Sequence, residues 1–494
     1  MITPHRNNKS LEWETHWQPD PAYAYERRMV RTLRVAHSPN DTWQFTSDDG
    51  RPVTLYPDPG LDASGSFPDP GHFALLLGDS VEAFLFLDPA GADACPAGAI
   101  DGTSLGITPD SGRPVTEALN AALAKIAADG GGTLVLGPGR YETGTVQMQS
   151  STYLHLAEGA VLQASLDLDA HPLDEPGTWP EDLPRSLIPG TRRRLISFRG
   201  VEDSGLLGTG VVCGNGSAMR HLYPGPRAMM QLIRAVDCRR LRFEGVTLRD
   251  SEFWSTHIVL SEDVSFIGVK VLNEIPPPGW DSFLRPDSKS VWNNADGINP
   301  DSSQRVTIER CFFHTGDDCV PIKNTGCHHN RLTDVADITV RNCLMCTPTT
   351  AMKIGTETRG ERIGRILFED IHIVEASRII GLDLKDGAEA HDVTFRRIHA
   401  RRCNRPLDIW VIAREGQVDQ TRFSSIRDIA LEDVCIELSG IEGGNQTSHI
   451  SGRDATFDVC RVKVRDLAID GCAVRTPSDM ALELNEWVSD LSWS

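Results

Sequence analysis

Aromatic residues make up only 6% of this 494-residue chain. No run of apolar residues is long enough to cross a bilayer. The first residues, Met1 to Trp17, contain no apolar stretch of the kind that opens a secretory leader. The expectation is a cytoplasmic protein, or an exported one whose leader has been removed. Basic residues are also short: 49 Lys and Arg stand against 69 Asp and Glu, a net charge of −20. Such a balance argues against nucleic acid or an anionic membrane as partner. It leaves a neutral sugar open as a ligand, whereas an anionic polymer would require a local basic patch. The 12 cysteines lack the close, paired spacing of a disulfide framework or a zinc site. Cys343 and Cys346 form an isolated CxxC, so buried free thiols are expected and no metal is called for.

What the sequence does have is a repeat. A β-branched or apolar residue is followed by apolar residues two, five and seven positions later. The pattern runs through Leu241–Leu248, Val264–Val271, Val306–Phe313, Ile338–Met345, Ile366–Ile373, Val393–Ala400, Ile429–Ile436 and Val462–Ile469, lapsing at the end of the sixth unit. Successive starts lie 23, 42, 32, 28, 27, 36 and 33 residues apart, within the range of solenoid repeats. The period of two and the β-branched content exclude a helix. Each unit alternates apolar and polar residues and then turns, and stacking the units gives a parallel β-helix. Ahead of the repeat, Val115, Leu119, Ala122, Leu123 and Ile126 mark one face of an amphipathic helix that ends in glycines, read as a cap on the open end of the stack. Residues 1–100 read as a separate β-rich unit, a small β-sandwich with strands at Val30–Ala36, Phe73–Leu77 and Val81–Leu87. Asp88–Pro109 reads as a linker, and 101–494 as the β-helix.

The chemistry concentrates at two short motifs. Asn294-Ala295-Asp296-Gly297 precedes one repeat unit, and Gly316-Asp317-Asp318-Cys319 follows it. Asp296 and Asp317 are 21 residues apart, about one solenoid turn. One turn brings residues to roughly the 4.8 Å spacing of adjacent strands. Three crowded carboxylates split their pKa values, leaving one as an acid while others stay ionised, which is the division that glycosidic hydrolysis requires. Gly316 permits a bend that brings both Asp317 and Asp318 to the cleft.

The stretch Asn294–Lys323 resembles the core of the polygalacturonase family, glycoside hydrolase family 28. That family shows Asn-Thr-Asp-Gly, then Gly-Asp-Asp-Cys, then Ile-Lys. The opening Val115–Leu162 is similar to the start of pectinase β-helices, and the likeness extends over residues 100–480. The resemblance implies a right-handed β-helix and an inverting hydrolase of α-glycosidic bonds that needs no cofactor. It implies Asp317 as the general acid, with Asp296 and Asp318 holding and activating water. The substrate would be a poly- or oligosaccharide, either a pectin-type galacturonide or another α-linked glycan.

The chain departs from the family pattern at two places. Thr350 stands where the family has a histidine. Asp383-Leu384-Lys385 replaces Arg-Ile-Lys, so an acid occupies the position of a carboxylate-binding arginine. Asn294, Lys353, Lys385, Asp383, Thr350, Trp280 and Trp292 are the substrate-contact candidates, with Lys353 as a substitute cation. Glu357 is read as half of a structural ion pair, and His314 as a packing or turn-capping residue. Trp254 and Trp410 are weaker stacking candidates. Two alternatives stay open: a polysaccharide lyase using Lys353 or Lys385 as base, and a β-helix that binds glycans without catalysis.

Overall fold

A computed structural model describes residues 1–17, 29–63, 65–173, 193–223, 229–275, 294–326, 328, 331–412, 423–438 and 447–494. Trp280, Trp292 and most of the long segment before Asp296 lie outside the described residues. The repeat units form stacked rungs. Leu241, Val264, Val306, Ile338, Ile366, Val393, Ile429 and Val462 pair in one continuous parallel ladder. The first residues of all eight sequence repeats thus lie directly above one another. Ala400, where the pattern lapses, still stacks between Ile373 and Ile436 and is buried. The fold is a right-handed parallel β-helix.

The core is the column of inward residues. Phe198, Phe243 and Phe266 follow one another with ring centroids 5.5 and 4.5 Å apart. Burying a side chain of that size contributes about 1.5–3 kcal/mol, so each rung depends on its neighbours for stability. One position before each repeat, the chain turns through positive φ, at Arg240, Asp263, Arg305, Asp337, Arg365, Asp392, Asp428 and Arg461. Aspartate tolerates this region better than most residues. Acids and arginines of this corner pair between rungs, as in Arg305 with Asp263 and Arg365 with Asp337. These pairs are exposed and contribute little each.

The helix Thr116–Ala128 packs Leu119, Ala122, Leu123 and Ile126 into the end of the β-helix core. The stretch read as a linker is partly ordered into the stack: Ile100–Asp101 pairs with Gly132–Leu136 as an initial rung. The cause is Ile100, whose side chain packs on the core.

The N-terminal residues form a three-stranded and a five-stranded sheet that share one apolar cluster, with Ile2 and Trp43 meeting Phe73, Leu75, Leu85 and Leu87. A second cluster joins these sheets to the β-helix. Phe84 and Phe86 each place a ring 4.8 Å from that of Phe312. Arg34 donates to the carbonyls of Thr209 and Gly245, Tyr56 donates to that of His399, and Lys270 pairs with Asp88. The strand Phe312–His314 is thereby held from outside, and it leads directly into Thr315–Asp318.

The eleven cysteines among the described residues are all unbridged. No described helix is long and apolar enough to cross a membrane.

Candidate active site

Asp317 and Asp318 lie in the irregular link between the strands Phe312–His314 and Val320–Asn324. Two hydroxyls pin this bend: Thr315 Oγ1 and Thr347 Oγ1 both donate to the Asp317 carbonyl at 2.6 Å. Asp296 lies on the preceding rung, joined by hydrogen bonds from Gly297 N to Asp318 O and from Gly316 N to Ala295 O. Gly297 is required for this close approach. A Cβ there would sit 2.2 Å from the carbonyl oxygen of Cys319. One oxygen from each of Asp296, Asp317 and Asp318 lies within 4.8 Å of those of the other two. All three side chains are buried.

Their partners differ. Asp318 receives Lys353 Nζ at 2.7 Å and the backbone N–H of Thr350 at 3.1 Å. Asp296 receives Asn299 Nδ2 at 2.7 Å and has Lys323 Nζ at 3.9 Å. Asp317 accepts the N–H of Asp318 at 3.0 Å. Burial and the neighbouring Asp318 charge push the Asp317 carboxyl up to about 7. Burial also works against ionisation of Asp318, but Lys353 and Lys323 outweigh it and hold that group below the usual carboxylate range. Asp296 is raised by burial, against the pull of Lys323, and by the two other aspartates. The trio therefore contains a carboxyl that keeps its proton to neutral pH beside a carboxylate that stays charged.

The remaining sequence candidates fall into distinct places. Asn294 accepts a hydrogen bond from Trp254 Nε1 at 2.8 Å. Trp254 is buried, and Lys323 lies 4.5 Å over its ring, so it braces the trio from behind. Lys323 is also tied to Glu357 at 3.1 Å. His314 packs against Trp17 and Phe84 while its Nδ1 meets the Asn273 carbonyl. Lys385 follows the end of a strand, its N–H bound to Thr358 Oγ1. Lys353, read from sequence as a substitute cation for substrate, is engaged with Asp318.

Thr350 and Asp383, the two departures from the family pattern, meet through a residue that the sequence did not single out. Arg378 donates to Thr350 Oγ1 from Nε and Nη2, to both oxygens of Asp383, and to Asp408. Arg405 and His449 close on the same Asp408 at 2.7 and 2.8 Å. Trp410 donates to Asp383 at 2.6 Å, and its ring stacks on His449 at 4.8 Å. The negative charge at position 383 is thus neutralised inside the protein. The repeat spacing carried a signal for this: Thr350, Arg378 and Arg405 are spaced 28 and 27 residues apart, matching the local repeat starts.

Residues 187–471, more than half of the chain, match the family model for glycosyl hydrolases family 28. The chain belongs to that family. A probable polygalacturonase of Vitis vinifera is 28% identical over 214 residues, covering 41% of this chain and 39% of the plant protein. One of Arabidopsis thaliana is 31% identical over 137 residues, covering 28% and 26%. The chain thus matches well under half the length of these curated relatives. Among solved structures, the family 28 exopolygalacturonase of Yersinia enterocolitica superposes with a TM-score of 0.59 at 16% identity, covering 85% of this chain and 83% of that one. An exopolygalacturonase of Thermotoga maritima gives 0.58 at 17% identity, covering 81% and 93%. At such identities the likeness is one of fold.

Proposed function

We propose that the chain is a glycoside hydrolase that cleaves α-glycosidic bonds in a pectin-type galacturonide or another α-linked glycan, with Asp317 as the acid. The observation that carries this reading is the buried trio of aspartates with three different sets of partners. In the step we assign, the Asp317 proton passes to the glycosidic oxygen as the bond from that oxygen to the anomeric carbon breaks. A water held by Asp296 and Asp318 attacks the anomeric carbon, and its proton goes to Asp318. The products are a new reducing end and a freed hydroxyl. The short separation within the trio gives the proton a route back to Asp317. The family resemblance supports inversion at the anomeric carbon.

One observation favours a second stereochemical outcome. Inverting enzymes commonly hold their two carboxyl groups about 6.5–9.5 Å apart, and retaining ones about 5–5.5 Å. The 4.8 Å reach of this trio is nearer the second. In the inverting reading, the neighbouring carboxyl groups of Asp296 and Asp318 grip one water, so the usual gap between acid and base is not needed.

Product analysis tests both readings. Early proton NMR spectra of an α-linked oligosaccharide digest should show the β-anomer first, with reducing ends released and no absorbance from a ring double bond. The α-anomer as first product would establish retention. Unsaturated products, lost on adding a chelator, would establish a calcium-dependent lyase.

A further inference from the structure

The wall beside the trio bears on which sugar the enzyme accepts. A guanidinium has five N–H donors, and in Arg378 five hydrogen bonds to Thr350, Asp383 and Asp408 take them up. Lys353 lies 2.7 Å from Asp318 and 3.8 Å from Asp383. Arg405 is paired with Asp408. Three cations thus face three carboxylates, all from the protein. Lys385, the next cation along the chain, is adjacent to Asp386, whose carboxylate accepts the N–H of Thr358.

A sugar carboxylate entering here would lose its water without gaining a bidentate guanidinium partner, and it would approach Asp383 and Asp408. A hydroxymethyl group at the same position carries no such penalty. It donates a hydrogen bond to a carboxylate, and the ring of half-buried Trp410 offers an apolar surface to a pyranose. We infer that the subsite bounded by Lys353, Arg378, Asp383 and Trp410 takes an uncharged sugar residue rather than a uronate. This rests on the trio being the reaction centre. It narrows the substrate to an α-linked chain with a neutral residue next to the bond cleaved.

The test is binding, measured by calorimetry on the full chain carrying Asp317→Asn, which does not depend on turnover. The probes are methyl α-galactopyranoside and methyl α-galacturonopyranoside, which differ only at C6. The galactoside is expected to bind at least about tenfold more tightly, the scale of the penalty for one polar group buried without its partner. Adding Asp383→Asn frees donors on Arg378 and Lys353, so this preference should shrink or reverse. Equal or tighter binding of the galacturonoside before that change, or no binding of either probe, overturns the inference. The hydrolytic reading fails by a different result, namely retained turnover in the Asp317→Asn chain. Should Asp383→Asn unfold the chain, the comparison in Asp317→Asn alone still decides.

Discussion

Replacing Asp317 with asparagine is expected to lower kcat at least about a hundredfold, in line with the loss of a positioned general acid. The KM should change little, because the amide keeps the shape of the carboxyl and its acceptor oxygen. Stability should not fall, since the change removes one of three crowded carboxyl groups. Two further measurements separate an acid from a merely structural residue. An aryl glycoside, whose leaving group needs little protonation, should recover much of the lost rate. Glutamate at the same position, displaced by one methylene, should retain more activity than asparagine. If the variant keeps more than about a tenth of the wild-type rate on an unactivated oligosaccharide, Asp317 is not the acid.

Replacing Lys353 with methionine is expected to have the next largest effect, about a hundredfold on kcat near pH 6. Removing one member of a buried ion pair leaves the other charge uncompensated, at a cost of about 3–5 kcal/mol if it remains ionised. The site avoids that cost by protonating Asp318, and a protonated Asp318 cannot take a proton from water. The sign follows: with Lys353 gone, the acidic limb of the pH profile should move to higher pH. A double-mutant cycle makes the claim specific. If Lys353 acts through Asp318, adding Lys353→Met to Asp318→Asn should cost almost nothing further. Full additivity would place Lys353 on the substrate instead.

The legible part of this molecule is the part that repeats. Stacked rungs demand apolar residues at fixed offsets, so Leu241, Val264 and Val306 announce their alignment in the sequence itself. The trio was legible for the same reason, since Asp296 and Asp317 differ by one rung. The network around Arg378 was harder to see. Its members, Thr350, Arg378, Asp383, Arg405, Asp408 and His449, are scattered over four rungs and form no local motif. Only strand register joins them, and register within the long strands Val335–Thr358 and Arg362–Leu384 contains two shifts. The N-terminal sheets were legible as strands but not as a brace. That role depends on Phe84 and Phe86 meeting Phe312 across more than two hundred positions of sequence.

The same dependence on register explains why the partner of Lys353 was not legible in the sequence. A lysine beside a cleft reads as a free cation when only its position is known. Its charge is committed once Asp318 is placed 2.7 Å away.

The pH dependence of kcat/KM tests the central claim most directly, because it reports groups in the free enzyme. Asp317 is active with its proton on, so activity should be lost as pH rises through about 7, where burial and Asp318 place that carboxyl. Asp318 is needed without its proton and is held low by Lys353, so it should not set the alkaline limb. The account predicts an alkaline limb with an apparent pKa about 7 that disappears in Asp317→Asn. A rate that stays level from pH 6 to about pH 9, or a limb that survives in that variant, would contradict it.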